Sequence, residues 1–316
     1  MVNPKAMVRL LRLPLALTAV ADIVAGYTVA LLGSRVAGDW QVGPTVQPPL
    51  AFDWERVALL AGVAAGLYLF GMVQNDLVDI RRDALLKRNR PIATGEISIG
   101  AAVALLLMTG GLAALCVLRL PGEAVLLAVA AFAAINLYNL AAKRGPAYIT
   151  MAVMGLCRLL NFGIGVAAAI GAPRGQVGWD MLMPWGPMWA RHAAAVFFVS
   201  AMASGYSCSA RWGQPVSTRP WQGVLLLTLG AGVVMWELSI GKLVWGATVI
   251  PPLARVFALL ALPALWPGRL WSPLGSERKP ETYEPFVERL LYWLILLDAA
   301  FVIDALLTVS QATGRA

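Results

Sequence analysis

The chain has 316 residues, of which 59% are hydrophobic and only 13% are charged, and its formal net charge is +8. Soluble globular domains carry about 25% charged residues, so this composition excludes an ordinary soluble protein and indicates a membrane protein. In a membrane protein the basic residues indicate which side of the bilayer each loop faces. We therefore expect no nucleic acid as a partner. The 3 cysteines have spacings that suit neither a disulfide framework nor a zinc site.

Nine apolar runs come close to the roughly 20 residues that a helix needs to cross a bilayer. In chain order they cover residues 11–32, 55–74, 99–118, 123–139, 149–172, 188–206, 221–238, 250–266 and 285–309. The segments between them are too short to form a soluble domain. We therefore predict an all-α, polytopic membrane protein in which residues 1–316 form a single transmembrane domain.

The distribution of basic residues predicts the orientation, because Lys and Arg of short loops stay on the cytoplasmic side. With the N-terminus inside, most loop Lys and Arg residues lie on that side. The Gly-, Pro- and Trp-rich segment at residues 33–54 then lies outside. We predict a protein of the cell (inner) membrane with a cytoplasmic N-terminus.

The end of the second run contains an oxygen-rich stripe. Asn75, Asp79 and Asp83 are spaced four residues apart, so on a helix they share one face, about 6 Å apart in rise. Asp76 is turned about 100° from Asn75 and is expected on another face. Such a stripe suits Mg²⁺, which prefers one or two carboxylates together with phosphate oxygens of a substrate.

Positive charge surrounds this stripe, where it could attract an anionic head group. The residues concerned are Arg81, Arg82, Lys87, Arg88 and Arg90. On charge alone, a solvated basic loop after a transmembrane helix explains the segment equally well.

The pattern Asn75-Asp76-x-x-Asp79-x-x-x-Asp83 resembles the first diphosphate motif of the UbiA-type intramembrane prenyltransferases. Arg90-Pro91 and the turn Thr94-Gly95-x-Ile97-Ser98 continue the resemblance. It implies a bundle of nine transmembrane helices, with this motif on the cytoplasmic side between the second and third helices.

Shorter segments extend the resemblance over most of the chain. Leu137-Tyr138-Asn139 through Lys143-Arg144 is similar to the family's tyrosine and basic stretch between the fourth and fifth helices. Arg158-Leu-Leu-Asn161-Phe-Gly163 and Leu297-Asp298-Ala299 resemble a divergent, EboC-like branch.

One segment departs from the family pattern. The family has a second aspartate-rich motif between its sixth and seventh helices, but residues 204–220 of this chain contain no acidic residue. Arg211 lies in this segment and could contact a diphosphate directly.

The resemblance implies a Mg²⁺-dependent transfer of a prenyl group from an allylic prenyl diphosphate to an aromatic or other small lipophilic acceptor. Asn75, Asp79 and Asp83 would be the catalytic residues and would hold the metal. The diphosphate would contact Arg90, Lys143, Arg144, Tyr138 and Arg211, although an interfacial tyrosine such as Tyr138 also serves as a membrane anchor. Because the second motif is missing, a noncatalytic relative that binds or helps to export a prenylated lipid or metabolite is the alternative. An unrelated transporter is less favoured, because the sequence shows no internal repeat.

Ionisable residues within the apolar runs predict buried pairs, since an isolated charge in the bilayer is costly. Asp22, Arg158 and Asp298 fall near the middle of their runs, and Arg255 and Asp304 fall near the outer side. The central cluster is either a structural pairing or a polar contact to the acceptor.

Overall fold

The computed structural model describes residues 4–38, 52–86, 89–145 and 147–170, and five residues near the C-terminus: Ile295, Asp298, Ala299, Val302 and Ile303. The elements in these ranges are α1 (Pro4–Leu11), α2 (Leu13–Gly38), α3 (Trp54–Val78), α4 (Ile80–Leu85), α5 (Ile99–Val117), α6 (Gly122–Leu140), a 3₁₀ turn (Ala142–Arg144) and α7 (Ala147–Ile170). Every regular element of this part of the chain is a helix, as predicted from the sequence.

Five helical spans in the described ranges are long and apolar enough to cross a membrane: Pro4–Leu31, Trp54–Val78, Ile99–Val117, Gly122–Arg144 and Ile149–Ala169. They coincide with the first five apolar runs of the sequence. The sixth, seventh and eighth runs, and all but five residues of the ninth, lie outside the described residues. The helix count of nine therefore stays a prediction.

The first run is interrupted near its start. Arg12 adopts a φ of 46°, in the left-handed region that a non-glycine residue rarely occupies. This kink separates the short helix α1 from α2. Ala6, Leu10 and Leu11 on α1 are buried, so α1 is anchored against the bundle. The sequence predicted only one continuous span here.

The apolar core lies between α2, α3, α6 and α7, and Val302 of the C-terminal segment packs against it. Helix α5 contacts α3 extensively and α6 little. Its other face carries exposed Val103, Leu107, Met108 and Leu115. An apolar outer face of this kind suits contact with lipid tails, because lipid provides no polar partners.

Two glycines allow α2 and α7 to cross at very short range. A Cβ on Gly165 of α7 would lie 1.9 Å from the carbonyl oxygen of Ile23 of α2. A Cβ on Gly26 of α2 would lie 2.2 Å from the carbonyl oxygen of Phe162 of α7. Small residues let membrane helices approach in this way, so the crossing depends on both glycines.

Candidate functional site

The end of α3 places three polar side chains inside the protein. Asn75 is 7% exposed, Asp76 is 2% exposed and Asp79 is 9% exposed. Asp83, on α4, is buried as well. Buried carboxylates are costly without partners, so this concentration marks the strongest candidate site in the described residues.

The helix that carries the stripe is interrupted, which the sequence did not predict. Helix α3 ends at Val78, and Asp79 has a φ of −94° and a ψ of 4°, outside regular helical geometry. The four-residue hydrogen-bond spacing nevertheless continues, because Asp79 N donates to Asn75 O (3.1 Å) and Asp83 N donates to Asp79 O (2.8 Å). The three stripe residues therefore keep the four-residue spacing despite the break.

Lys143 is the central cation of the site. Its Nζ lies 2.9 Å from Asp79 Oδ2 and donates a hydrogen bond of 3.1 Å to Asn75 Oδ1. The lysine side chain is fully buried, with an exposed fraction of 0%. Two of the three residues that the sequence proposed as metal ligands thus converge on the ammonium of a residue proposed to bind diphosphate.

The turn after α6 aims Lys143 inward and Arg144 outward. Helix α6 ends at Leu140, and Ala142–Arg144 form a single 3₁₀ turn in which Lys143 is buried and Arg144 is exposed. Thr150 of α7 fixes this turn, since its hydroxyl donates to Ala142 O at 2.7 Å. The two adjacent basic residues therefore differ in environment.

A ladder of side-chain amides joins α3 to α6 beside the site. Gln74 Nε2 donates to Asn136 Oδ1 (2.6 Å), and Asn139 Nδ2 donates to Gln74 Oε1 (2.8 Å) and to Gly71 O (3.0 Å). Sequence reasoning did not assign these amides a role. Their position inside apolar runs could have indicated this contact, because polar side chains there need hydrogen-bond partners within the protein.

Arg12 is another residue that the sequence did not assign to the site. Its Nη2 lies 3.5 Å from Asp76 Oδ1, and Asn75 Nδ2 donates to the same oxygen at 3.2 Å. Asp76 was expected on another face, but it is buried next to Asn75. The kink that gives Arg12 its unusual backbone conformation thus lies beside the motif.

The loop after α4 leads back into the bundle through a turn at Gly95. Gly95 has a φ of 77°, a conformation that favours glycine, and its N–H donates to Ile92 O at 3.2 Å. Thr94 N and Thr94 Oγ1 donate to the carbonyl oxygen of Arg90, at 2.9 and 3.0 Å.

A hydrogen bond from Arg9 of α1 holds the pKa of Glu96 below its usual value. These contacts join α1 to the loop that the sequence resemblance singled out.

The remaining predicted site residues have different environments. Arg90 is partly buried. Tyr138 is buried in an apolar cluster with Ala142 and Val153. Arg211 lies outside the described residues.

The donor set fits a hard cation. Asn75 Oδ1 and Asp79 Oδ2 already point at one positively charged group, the Lys143 ammonium, so their oxygen atoms are arranged around a cation. Among the described residues, no three His, Cys, Asp or Glu side chains group closely enough to enclose a metal by themselves. A Mg²⁺ site does not require such a group, because this ion takes a few carboxylates and completes its coordination with waters and substrate phosphates.

The profile of the UbiA prenyltransferase family matches residues 42–283. The chain belongs to this family. The match includes the motif on α3 and α4, the turn that carries Lys143 and the segment in which the second acidic motif is missing. No curated protein sequence matches the chain.

Solved structures of UbiA proteins share the fold. A UbiA homologue from Aeropyrum pernix K1, in its apo form, is 18% identical with a TM-score of 0.60, and the match covers 92% of this chain and 97% of that one. A UbiA homologue from Archaeoglobus fulgidus bound to GPP and Mg²⁺ is 20% identical with a TM-score of 0.57, covering 96% and 99%. A structure from work on digeranylgeranylglyceryl phosphate synthase is 17% identical with a TM-score of 0.51, covering 95% and 98%. The protein is therefore a helical membrane protein of the UbiA fold.

Proposed function

We propose that this protein is a Mg²⁺-dependent intramembrane prenyltransferase that moves a prenyl group from an allylic prenyl diphosphate to an aromatic or other small lipophilic acceptor. The observation that carries the proposal is the buried convergence of Asn75, Asp79 and Lys143. It offers oxygen ligands to a cation and a positive charge to a diphosphate in one place. The Archaeoglobus fulgidus homologue, bound to GPP and Mg²⁺, supports this pair of ligands for the family.

Each group of side chains has a distinct part in this proposal. The oxygens of Asn75, Asp79 and Asp83 would hold the metal, which when bound would draw negative charge from the diphosphate as the allylic carbon–oxygen bond breaks. Lys143 would contact the diphosphate and stabilise the released anion.

Other basic and polar groups complete the diphosphate site in this proposal. Arg90 and Arg144 bring further charge from the flanking loops, and Tyr138 and Arg211 are the remaining predicted contacts. The apolar helices would exclude the water that competes with the acceptor for the allylic carbon. The acceptor then forms the new bond to that carbon and loses a proton.

Calorimetric titration of the purified protein with a non-hydrolysable prenyl thiodiphosphate, with and without Mg²⁺, tests the site. We expect Mg²⁺-dependent binding that Asp79→Asn and Asp83→Asn each weaken at least about tenfold. Removing even a group that only supports a metal ligand costs about 10- to 100-fold in metal affinity. Glu55→Gln is the matched control, because Glu55 is an exposed acid at the opposite end of α3. Unchanged Mg²⁺-dependent affinity in the Asp79→Asn, Asp83→Asn double variant would mean that the stripe does not hold the metal.

Transfer itself is tested separately with radiolabelled allylic diphosphates and a panel of acceptors, with and without Mg²⁺. A prenylated product that requires Mg²⁺ supports the enzyme. The absence of acids in residues 204–220 favours the alternative, a noncatalytic relative that binds or helps to export a prenylated lipid or metabolite. That protein would bind the thiodiphosphate with Mg²⁺ but yield no product with any allylic diphosphate and acceptor.

We also propose that the chain is one transmembrane domain in the cell membrane with its N-terminus and this site in the cytoplasm. The excess of basic residues in the loops on that side supports the orientation. A cysteine replacing exposed Arg144 should react with an impermeant reagent only from the cytoplasmic side, and one replacing Gln41 only from outside. Labelling of both from one face would contradict the orientation.

A further inference from the structure

A second polar cluster lies between α2, α7 and the C-terminal segment. Arg158 Nη1 lies 2.6 Å from Asp22 Oδ2, and Arg158 Nη2 donates to the hydroxyl of Thr18. Asp22 is 0% exposed and Asp298 is 3% exposed. The pairing predicted from depth along the sequence is thus present in the structure.

This cluster is separate from the candidate metal site. Asp22 of α2 follows the kink at Arg12 by ten residues, which corresponds to about 15 Å along a helix axis. Arg12 lies beside Asp76, at the level of the motif. The cluster is therefore deep in the membrane span and does not contact the proposed metal ligands.

Three oxygen atoms of the cluster are buried and accept no hydrogen bond from any group in the described part of the chain. They are Asp22 Oδ1 and both carboxyl oxygens of Asp298. The carboxyl groups of Asp22 and Asp298 lie against each other, within hydrogen-bonding reach. All three unsatisfied atoms are acceptors, so what the cluster lacks is a hydrogen-bond donor.

The charges of the cluster do not balance if both carboxyl groups are ionised. Among the described residues, Asp22 and Asp298 would carry two negative charges against the one positive charge of Arg158. The amide of Asn161 faces Asp22 and donates to Ala19 O at 2.7 Å. In the part of the chain that the structure describes, Cys157 is a further titratable group beside Arg158. Two ionised carboxylates in contact repel strongly inside a low-dielectric bundle, and a shared proton removes the repulsion.

We propose that this cluster is a proton-binding site in which Asp22 and Asp298 share one proton, so that the two acids and Arg158 form a neutral triad within the membrane. Shared between Asp22 Oδ1 and one oxygen of Asp298, the proton gives two of the three unsatisfied oxygens a hydrogen bond. The triad joins three segments that are distant in sequence without leaving a net charge in the bilayer. It does not depend on the proposed transfer reaction.

Infrared spectroscopy of the full chain in detergent detects the proton directly, because a protonated carboxyl group has a carbonyl band that an ionised one lacks. The wild type at neutral pH should show a band from a buried carboxylic acid that shifts in D₂O. The difference spectrum between wild type and Asp298→Asn should contain this band. The difference spectrum for Asp53→Asn, a change at a partly exposed helix cap, should not.

Two further measurements keep the test independent of how well one variant folds. In the wild type alone, the band should disappear at alkaline pH, and the thermal unfolding midpoint should fall as the triad becomes charged. Asp298→Asn should have the same thermal unfolding midpoint as the wild type at neutral pH and a higher one at alkaline pH. The reason is that the introduced amide donates a hydrogen bond to Asp22 at every pH, whereas the shared proton is lost at alkaline pH. Asp22→Asn should also abolish the band. A wild type with no such band, or a band retained in both variants, would overturn the proposal.

Discussion

Replacing Lys143 with methionine tests whether the candidate site is organised around a cation. The change keeps much of the side-chain volume but leaves Asp79 without the ammonium 2.9 Å away. Removing one partner of a buried ion pair costs about 3 to 5 kcal/mol. The Asp79 side chain is 11% exposed, so we expect the lower end, about 3 kcal/mol in the free energy of unfolding without metal.

Mg²⁺ should recover most of this loss. A ligand at one hundred times its dissociation constant stabilises the folded state by about 2.7 kcal/mol. In the wild type the metal must first displace the ammonium from Asn75 and Asp79, so the gain on adding Mg²⁺ should be smaller. Lys143→Met should therefore bind Mg²⁺ alone more tightly than the wild type, even though it binds the diphosphate less well.

Denaturant unfolding in detergent, with EDTA or with excess Mg²⁺, measures both effects. Arg144→Met is the matched control, because it removes an exposed positive charge from the same turn and should change stability little. The reasoning is refuted if Lys143→Met costs less than about 1 kcal/mol without metal, the value of an exposed pair. It is also refuted if Mg²⁺ leaves the difference between the variant and the wild type unchanged.

The other predictions concern packing, the motif and a helix cap. Gly165→Ala should lower the free energy of unfolding by about 3 kcal/mol, because its Cβ meets the Ile23 backbone. Gly111→Ala is the control and should lower it little, because a Cβ there meets open space. Equal losses in the two variants would contradict this. Asp76→Asn should cost about 1 kcal/mol, because its ion-pair partner Arg12 is 27% exposed and 3.5 Å away. High salt should reduce the difference from the wild type. Ser98→Ala should cost about 1 kcal/mol in chemical unfolding, because the Ser98 hydroxyl caps α5 at 3.2 Å; no change would exclude the cap as a stabilising contact.

Much of the described fold could be predicted from apolar run length, because a membrane span requires an uninterrupted helix with its backbone groups satisfied. Local irregularities could not be predicted in this way. The kink at Arg12 lies two residues before Pro14, which lacks the N–H that a continuous helix would need, and run length alone takes no account of it. At the break at Asp79 the sequence gives no such signal, because residues 75–83 contain neither proline nor glycine. The predicted spans therefore locate the helices but not the two points where they bend.

The candidate site was predictable only where it depends on local sequence. The spacing of Asn75, Asp79 and Asp83 is a local property, and it survives in the structure. The partnership of Lys143 with Asp79 is not local, since it depends on how α6 crosses α3. Sequence reasoning thus assigned the lysine to the diphosphate, but it could not tell that the ammonium contacts the oxygens of Asn75 and Asp79, the proposed metal ligands.

The glycine crossing of α2 and α7 restricts where a lipid-soluble substrate can enter. At Gly26 and Gly165 the two backbones leave less room than a methyl group requires. An isoprenoid tail is wider than a methyl group, so it cannot pass between these helices at that level. Any lateral opening to the bilayer must therefore lie away from this crossing, and widening it by engineering would require separating the backbones of α2 and α7 at both glycines.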